Sequence, residues 1–304
     1  MTPTAHSAAG PASLGHSLRA AVIGSPIGHS KSPALHRAAY HLLGFDCSYE
    51  AIDVSPEDLP AFVESVRAAG NWRGLSVTMP HKTAMVHLVD SVTSLAGVLG
   101  VLNTVTVDTG GPRPVLTGHN TDVAGIIGAL RHGGVLEAPR SAVILGGGGT
   151  AAASLAALQQ LGATGVTVFV RSPGLAAPLR TLGDSLGVPV QLREWDGAAT
   201  GLLEADVVIS TLPPGGADAL ASQLGNLRAP RVHPTRPVLL DVAYDPWPSP
   251  LAAAWEARGG TIVPGLEMLI YQAVEQVRLF TGSRFPDPAR VLKAMCDAVG
   301  APAR

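Results

Sequence analysis

Short apolar runs alternate with amphipathic stretches along most of the chain. The run LRAAVIGS at 18–25 predicts a strand, PALHRAAYHLLG at 33–44 predicts a helix with a glycine stop, and CSYEAIDV at 47–54 predicts a second strand. Because strands alternate with helices, we expect parallel strand pairing and an α/β fold.

The next part of the chain continues the same pattern. Ser55 is expected to cap a helix whose first residue is Pro56, since a serine hydroxyl accepts a backbone N–H and proline fits the first helical position. WRGLSVTMP at 72–80 predicts a strand, and HKTAMVHLVD at 81–90 predicts a helix. The two β-rich halves of 101–118 are separated by a loop, which indicates a hairpin.

A second block of alternating elements begins near Ser141. Its predicted strands are SAVIL, VTVFV, VPVQL, ADVVIST, PVLLDVAY and TIVPG, with helices predicted after SAVIL, after VTVFV and from Pro250. This is the βαβ order of a doubly wound sheet. Two closing helices, LEMLIYQAVEQVRLF and DPARVLKAMCDAV, have no strand after them, so we expect them to pack back across the first block.

Composition narrows the class of protein. A chain of 304 residues predicts two domains. Apolar residues make up 46% and charged residues 14%, yet no apolar run approaches the roughly 18 to 20 residues that cross a bilayer, so no membrane partner is expected. The net charge of −2 and the lack of a basic block argue against nucleic-acid binding.

The cysteines and the first residues bear on the compartment. Cys47 and Cys296 are far apart and show no metal-ligand spacing, which argues against a disulfide framework and a metal site. Residues 1–18 lack a charged segment followed by an apolar one, so we expect a disordered lead-in and a cytoplasmic protein.

A glycine cluster follows the first strand of the second block. Gly146, Gly148 and Ala151 fit the pattern G-x-G-x-x-A, in which the glycines allow a tight turn and close approach of the backbone to a pyrophosphate. Backbone N–H groups at the following helix start would hold the phosphates. The alternative is a glycine turn present only for packing.

The end of the next strand indicates which dinucleotide binds. NAD sites usually have an acidic residue at this position, which binds the ribose 2'-hydroxyl. This chain has Arg171 and Ser172 instead, and no carboxylate occurs before Asp184. Because a guanidinium pairs well with a 2'-phosphate, we predict NADP. The alternative is a solvated arginine at a strand end.

Seven motifs in order resemble the shikimate dehydrogenase family from about Arg19 to Val299: SPIGHSKSP, SVTMPHK, NTV, GHNTD, GGGGTA with VRS, DVAYDPWPSPL and GLEMLIYQA. The resemblance implies an N-terminal α/β substrate domain and a Rossmann-type doubly wound NADP-binding domain. The implied substrate domain comprises residues 19–121 and 265–304, and the implied NADP domain residues 122–264, with the active site in the cleft between them.

Oxidation of a secondary alcohol needs a group that takes the hydroxyl proton. Lys82 and Asp122 are the candidates: lysine is protonated in water at neutral pH, but burial favours its neutral form. By resemblance, Lys82 is the general acid and base and Asp122 is its partner. Taken singly, Lys82 could be an exposed lysine and Asp122 a helix N-cap.

Two serines in the first motif are candidates for binding a carboxylate. Ser30 and Ser32 are two residues apart, so in an extended segment both hydroxyls would face the same side and donate to one carboxylate. The resemblance implies this role. The alternative for Ser32 is to cap the helix that begins at Pro33.

The resemblance implies the remaining site residues. Thr78, Asn103 and Gln272 would bind the ring hydroxyls and the carboxylate, and Tyr244 would form the wall near the carboxylate and nicotinamide. The cofactor-binding residues would be Gly146, Gly147, Gly148, Gly149, Thr150, Ala151, Arg171, Ser172, Thr211, Gly265 and Met268, the last two at the nicotinamide.

The chain departs from the family pattern at several positions, among them Val170 and the segment GVLNT, where GAVNT is usual. His81 stands where an aromatic residue is common, and His119 replaces an acidic residue, so both would add titratable groups near the site. Leu175 stands where a second arginine is frequent, which weakens the expectation of NADP.

The expected activity is the reversible, NADPH-dependent reduction of 3-dehydroshikimate to shikimate in chorismate and aromatic amino-acid biosynthesis, by a monomer or homodimer. One alternative is an NAD-dependent quinate or shikimate dehydrogenase acting in catabolism. Another is a non-catalytic regulator that binds nucleotide or shikimate, against which the presence of both Lys82 and Asp122 argues.

Overall fold

The computed structural model describes residues 17–136, 138–227, 236–285 and 287–302. Most of the expected lead-in at 1–18 therefore lies outside the described residues, and Leu18 already belongs to the first strand. None of the described helices is long and apolar enough to cross a membrane.

The first sheet is mixed and has six strands: β1 (Leu18–Gly24), β2 (Cys47–Asp53), β3 (Trp72–Val77), β4 (Ser91–Val92), β5 (Thr104–Asp108) and β6 (Val115–His119). Their order is β2-β1-β3-β5-β6-β4. The pairs of β1 with β2 and β3 and of β4 with β6 are parallel, whereas β5 runs antiparallel to β3 and β6. The expected hairpin at 101–118 is confirmed and makes β5 antiparallel to both its neighbours, while the parallel pairing expected from alternating strands and helices holds for the other pairs of this sheet.

The second sheet is entirely parallel: β7 (Ala142–Leu145), β8 (Val166–Val170), β9 (Val190–Glu194), β10 (Val207–Ser210), β11 (Val238–Asp241) and β12 (Thr261–Pro264). Its order is β12-β11-β10-β7-β8-β9, which is the doubly wound nucleotide-binding order. All six strands were expected from the sequence. The order reverses between β7 and β10, and ligands bind beyond the carboxyl ends of strands at such a point.

The described residues form eleven α-helices: α1 (Ser32–Leu43), α2 (Leu59–Ala69), α3 (Ser94–Leu99), α4 (Asp122–His132), α5 (Gly149–Gln160), α6 (Ala177–Leu186), α7 (Ala198–Leu202), α8 (Asp218–Asn226), α9 (Pro250–Glu256), α10 (Gly265–Thr281) and α11 (Pro288–Val299). Short 3-10 helices lie at Ala84–His87, Trp195–Gly197 and Gly282–Arg284.

Two local expectations are wrong. The helix predicted from Pro56 begins at Leu59, because the Ser55 hydroxyl closes a turn by accepting the Asp58 N–H at 3.2 Å, and Pro60 takes the first helical turn. The helix predicted at 81–90 is only the 3-10 turn Ala84–His87.

The two closing helices return to the first sheet, as expected. Apolar side chains of α10 and α11, among them Ile270, Phe280 and Met295, form one core with residues of β1 and α1. This return places α10 beside α4, the helix that leads from the first sheet into the second.

Two glycines allow α4 and α10 to approach closely. A Cβ at Gly125 would lie 2.7 Å from the Met268 carbonyl oxygen, and one at Gly128 would lie 2.5 Å from the Tyr271 ring. Because the two helices touch at this depth, the first turn of α4 lies against the middle of α10. The candidate site is built at this contact.

Candidate active site

Two loops meet at the carboxyl edge of β1 and β3. The Ser25 N–H donates to the Met79 carbonyl oxygen at 3.1 Å, and the Thr78 N–H donates to the Ile23 carbonyl oxygen at 3.0 Å. The first loop leads to the two candidate serines and the second to Lys82. Because β1 and β3 are parallel neighbours, both loops leave the sheet at the same edge.

Lys82 and Asp122 form an ion pair between these loops and α4. Lys82 Nζ lies 2.5 Å from Asp122 Oδ2, and the side chains are 14% and 6% exposed. The Leu102 N–H donates to the Lys82 carbonyl oxygen at 3.1 Å, which fixes the backbone of the lysine. The structure therefore brings together the two candidate catalytic groups, although they are forty residues apart.

Asn120 explains why Asp122 is available for this pair. The Asn120 Oδ1 atom accepts the N–H groups of Asp122 and Val123 at 3.0 and 3.4 Å, so it satisfies the helix start. The alternative role of Asp122 as the N-cap is thus wrong: Asp122 is the first residue of α4, and its carboxylate points to Lys82.

Asn103 and Gln272 join the same cluster. Asn103 Nδ2 donates to Asp122 Oδ1 at 2.8 Å and lies 3.2 Å from Gln272 Oε1. Thr121 adds its N–H, which donates to Asn103 Oδ1 at 2.7 Å. Both oxygens of Asp122 thereby have a donor, one from Lys82 and one from Asn103.

The two serines are arranged differently from the sequence expectation. The intervening Lys31 has helical backbone angles, φ −84° and ψ −6°, so the segment is not extended. Ser32 is the first residue of α1, is buried, and does not cap the helix, while its N–H donates to Ser30 Oγ at 3.3 Å. The extended segment and the capping role are both wrong, and a carboxylate-binding role has to rest on the loop's position beside Thr78.

Tyr244 follows β11 and reaches the serine loop. Burial and the neighbouring Asp245 raise the pKa of Tyr244, while a hydrogen bond with the backbone of Lys31 opposes that rise. This contact spans from the second sheet to the first. Met268 is buried one turn into α10, and Gly265 begins that helix where a Cβ would collide with the Val242 backbone.

The two histidines near the site have different surroundings. His81 is buried, and its Nε2–H donates to the Val54 carbonyl oxygen at 2.7 Å. His119 is partly buried, with Nε2 3.0 Å from Thr106 Oγ1. Burial lowers the pKa of His119, and the positive charge of Arg278 lowers it further. Among the described residues neither imidazole is hydrogen-bonded to Lys82 or Asp122.

The glycine loop follows β7 at the switch point of the second sheet. Gly146 has φ +105°, and a Cβ there would lie 2.5 Å from Thr211 Oγ1 at the end of β10. Gly148 precedes α5, and a Cβ there would meet no atom within 4 Å, so its backbone faces open space. Ala151 is fully buried. An open glycine at the start of a twelve-residue helix fits the phosphates of a dinucleotide.

Arg171 and Ser172 are exposed directly after β8. In the part of the chain that the structure describes, no carboxylate forms an ion pair with Arg171, so its guanidinium is available to an anion beside the glycine loop. Leu175 is 86% exposed and supplies no charge. These features fit a 2'-phosphate held by one arginine.

Sequence reasoning missed several residues of the site. Thr104, Thr121 and Gln276 are buried polar residues that hydrogen-bond within the cluster around Asn103. Thr104 and Thr121 lie within the NTV and GHNTD motifs but were given no role, and Gln276 lies outside every motif. Buried Gln276 lies four residues after Gln272, and this helical spacing is the signal that could have found it.

Family models match both ends of the chain. The shikimate dehydrogenase substrate binding domain matches residues 22–105, and the shikimate 5'-dehydrogenase C-terminal domain matches residues 265–296. A curated relative from Rubrobacter xylanophilus, shikimate dehydrogenase (NADP(+)), is 38% identical over 277 residues, which is 90% of this chain and 94% of that protein.

Solved structures agree with this match. Shikimate dehydrogenase of Mycobacterium tuberculosis is similar with a TM-score of 0.79 and 40% identity over 93% of this chain and 99% of that chain. The Thermus thermophilus shikimate 5-dehydrogenase in complex with NADP(H) and shikimate has a TM-score of 0.73 and 32% identity, over 92% of this chain and 99% of that chain. Quinate dehydrogenase of Corynebacterium glutamicum in complex with NAD has a TM-score of 0.78 and 30% identity, over 92% of this chain and 99% of that chain. With relatives this similar over nearly its whole length, the chain belongs to the shikimate dehydrogenase family.

Proposed function

We propose that this chain is an NADP-dependent shikimate dehydrogenase in which Lys82 and Asp122 carry out the proton transfer. The proposal rests on the buried Lys82–Asp122 pair, with Asn103 on the second carboxylate oxygen. The activity is the reversible reduction of 3-dehydroshikimate to shikimate, which places the enzyme in aromatic amino-acid biosynthesis.

The proton step is assigned to Lys82. Its amine takes the hydroxyl proton of shikimate during oxidation and returns a proton to the carbonyl oxygen during reduction. Asp122 holds the amine in place through the 2.5 Å contact and is itself held by Asn103. NADP⁺, when bound, accepts the hydride that leaves the carbinol carbon.

The substrate is oriented by side chains from both loops and from α10. We assign Ser30 and Ser32 to the carboxylate, Thr78, Asn103 and Gln272 to the ring hydroxyls and carboxylate, and Tyr244 to the neighbouring wall. The hydrogen bonds between the two loops and the Asn103–Gln272 contact support this assignment. Ser30→Ala should raise KM for shikimate more than it lowers kcat, and an unchanged KM contradicts the carboxylate role.

The cofactor is assigned to the switch point of the second sheet. Gly146, Gly147, Gly148, Gly149, Thr150 and Ala151 would hold the pyrophosphate, Arg171 and Ser172 the 2'-phosphate, and Thr211, Gly265 and Met268 the nicotinamide side. Support comes from the open space at the Cβ position of Gly148, the positive φ of Gly146 and the exposed Arg171, with which no carboxylate of the described residues pairs. The proposal includes a substrate domain of residues 19–121 with 265–304, an NADP domain of 122–264, a cytoplasmic location, and a monomer or homodimer.

A second candidate function is quinate or shikimate oxidation with NAD. It is favoured by the structural likeness to the Corynebacterium glutamicum quinate dehydrogenase and by uncharged Leu175 beside Arg171. The buried ion pair weighs against a non-catalytic regulator, because binding alone does not need it.

Steady-state oxidation of shikimate and of quinate, each with NADP and with NAD, tests the proposal. We expect the largest of the four kcat/KM values for shikimate with NADP. A larger value for quinate with NAD would favour the second candidate. No turnover of either alcohol with either cofactor would contradict both.

A further inference from the structure

A chain of buried side chains extends from strand β2 to the catalytic pair. Its links are Tyr49 Oη to Ser76 Oγ at 2.6 Å, Ser76 Oγ to Gln276 Oε1 at 2.7 Å, Gln276 Nε2 to Thr104 Oγ1 at 2.9 Å, Thr104 Oγ1 to Asn103 Oδ1 at 2.9 Å, and Asn103 Nδ2 to Asp122 Oδ1 at 2.8 Å. Strands β2, β3 and β5 and helix α10 each contribute to it. It therefore crosses the half of the molecule that is built on the first sheet, α10 and α11, which we call the substrate half.

The Gln276 amide sets the direction of the first links. Its Nε2 also donates to the main-chain carbonyl oxygen of Asn103 at 3.1 Å, and a carbonyl oxygen only accepts. The Gln276 Oε1 atom therefore faces Ser76, whose single hydroxyl proton it accepts. With that proton used, Tyr49 has to donate to Ser76.

The remaining links follow in the same direction. Thr104 Oγ1 accepts a hydrogen bond from Gln276 Nε2 and donates one to Asn103 Oδ1. The Asn103 Nδ2 group is therefore directed at Asp122. A reversed Asn103 amide would set its oxygen against a carboxylate oxygen, which is repulsive. Every donor in the chain thus points toward Asp122, an arrangement in which neighbouring hydrogen bonds strengthen one another.

The burial of the chain separates this arrangement from ordinary surface hydrogen bonding. Tyr49 and Gln276 are each 1% exposed and Thr104 is 0% exposed. Burying polar groups costs free energy unless all are paired, and apolar side chains could fill the same space. The arrangement therefore contributes orientation at its end, where Asp122 holds Lys82.

The other end of the chain lies at the serine loop. Burial raises the pKa of Tyr49, and Ser76 and Ser32 oppose that rise. His36 connects Tyr49 to this loop, because its Nδ1 lies 3.0 Å from the Ser32 carbonyl oxygen. The His36 ring stacks on Tyr49 with centroids 3.9 Å apart and keeps the phenol ring in place. The chain thus joins the loop assigned to the carboxylate with the pair assigned to proton transfer.

We propose that Tyr49, Ser76, Gln276 and Thr104 are positioning residues that fix the Asn103 amide and, through it, Asp122 and Lys82. This inference rests on the proposed function and deepens it. These four side chains determine how often the Lys82 amine is aligned with the substrate hydroxyl. They act through Asn103 and are not assigned to contact the substrate or the cofactor.

Gln276→Met is the central test, because it preserves the length of the side chain and removes both donors and the acceptor. We expect kcat for shikimate oxidation to fall on the order of ten-fold to a hundred-fold, as misplacement of a reacting group does, with KM for NADP unchanged. Ser76→Ala and Tyr49→Phe interrupt the chain farther from Asn103, so their decreases in kcat should be successively smaller.

Thr281→Val is the matched control. Thr281 is also a buried polar residue of α10, but its hydroxyl donates only to the Val277 carbonyl oxygen of the same helix, at 2.8 Å. It should lower the free energy of unfolding without lowering kcat. Equal kcat values for the Gln276→Met and Thr281→Val proteins would overturn the proposal. Should Gln276→Met fail to fold, Ser76→Ala is judged against the same control.

The unaltered protein is assayed first, so that the two proposals fail separately. If it oxidises shikimate and the variants match the control, the positioning role is wrong and the function stands. If it oxidises no alcohol, the function is wrong, and crystal structures of the parent and of Gln276→Met decide the positioning role. A longer Asn103 Nδ2 to Asp122 Oδ1 separation in the variant supports that role, and an unchanged one overturns it.

Discussion

The proposed sites in the two halves of the molecule are built from different parts of the chain. Around the first sheet, the site consists of buried polar side chains that hydrogen-bond to one another, such as Asn103, Asp122 and Gln272. Among the described residues of 123–264, the buried polar side chains are Ser154, Ser210 and Asp241. There the site consists of a glycine loop, the start of α5 and an exposed arginine.

The difference corresponds to what each half has to hold in place. Under the proposed function, the substrate half has to hold reacting atoms in one geometry, which requires side chains fixed by several partners. The half built on the second sheet, the nucleotide half, has to hold phosphates, for which backbone N–H groups and small residues suffice. Mutations in the first half should therefore change turnover, and mutations in the second should change cofactor affinity.

Lys82→Ala should have the largest effect. It removes the proton acceptor and leaves Asp122 without its cation, so kcat should fall about 100-fold to 10,000-fold while NADP affinity is kept. Steady-state kinetics and NADP titration measure the two quantities. Lys293→Ala, which removes an exposed lysine paired with Asp297, is the control and should behave as the parent. Unchanged turnover in Lys82→Ala would contradict the assignment of Lys82 as the proton acceptor.

His36 should make the substrate half sensitive to acid. Burial lowers the pKa of His36 from 6.5 to about 4, partly opposed by its hydrogen bond to the Ser32 carbonyl oxygen. The unfolded chain then binds a proton below pH 6.5 that the folded protein does not bind until pH 4. Stability is therefore lost as pH falls through this interval, by about 3 kcal/mol.

Urea unfolding at pH 7 and pH 4 checks this expectation. His36→Phe keeps a ring on Tyr49 and should lose about 3 kcal/mol less than the parent between the two pH values. His41→Asn changes an exposed histidine of the same helix and should retain the parent's pH dependence. The same pH dependence in His36→Phe and the parent would show that His36 is not the group responsible.

Gly146→Ala should weaken NADP binding without changing shikimate binding. The positive φ and the contact with Thr211 strain a Cβ there, at a cost of about 1–3 kcal/mol, which is roughly ten-fold or more in Kd. Gly259→Ala is the control, since Gly259 has φ +84° with open space around its Cβ position. It should lower stability alone. Equal NADP affinities for the two variants would place the pyrophosphate elsewhere.

Arg171→Ala should give the smallest effect, because the arginine is exposed. Kd for NADP should rise by up to about ten-fold, while Kd for NAD stays the same, and added salt should reduce the difference. Titrations with both cofactors at two salt concentrations measure this. Arg193→Ala, an exposed arginine on β9, is the control. A parallel loss of NAD affinity would mean that Arg171 does not distinguish the two cofactors.

The strands and the glycine loop could be predicted from the sequence because their signals are local. The helix stop at Gly44 is confirmed, with that glycine in a left-handed conformation. The start of α2 was misplaced because the hydroxyl of Ser55 suits a turn as well as a helix cap. Helices α7 and α8 were missed, since short apolar stretches between strands do not show a full helical period.

The substrate half was less accessible to sequence reasoning. Asn103 and Gln272 were identified only through family resemblance, and Gln276, Thr104 and Asn120 not at all. Their partners lie up to 200 residues away along the chain, as the separation of Gln276 from Ser76 shows. No local pattern of apolar and polar positions encodes such a pairing, because it exists only once α10 returns to the first sheet.

The close packing of α4 on α10 limits how this enzyme could adapt to heat. Replacing helical glycines by alanine stabilises a helix by about 1 kcal/mol each, and Gly125 and Gly128 are obvious candidates for that change. Here an added methyl group would meet the Met268 carbonyl oxygen or the Tyr271 ring. A more thermostable form of this enzyme would therefore have to gain its stability elsewhere, and keep α4 as an intrinsically weak helix.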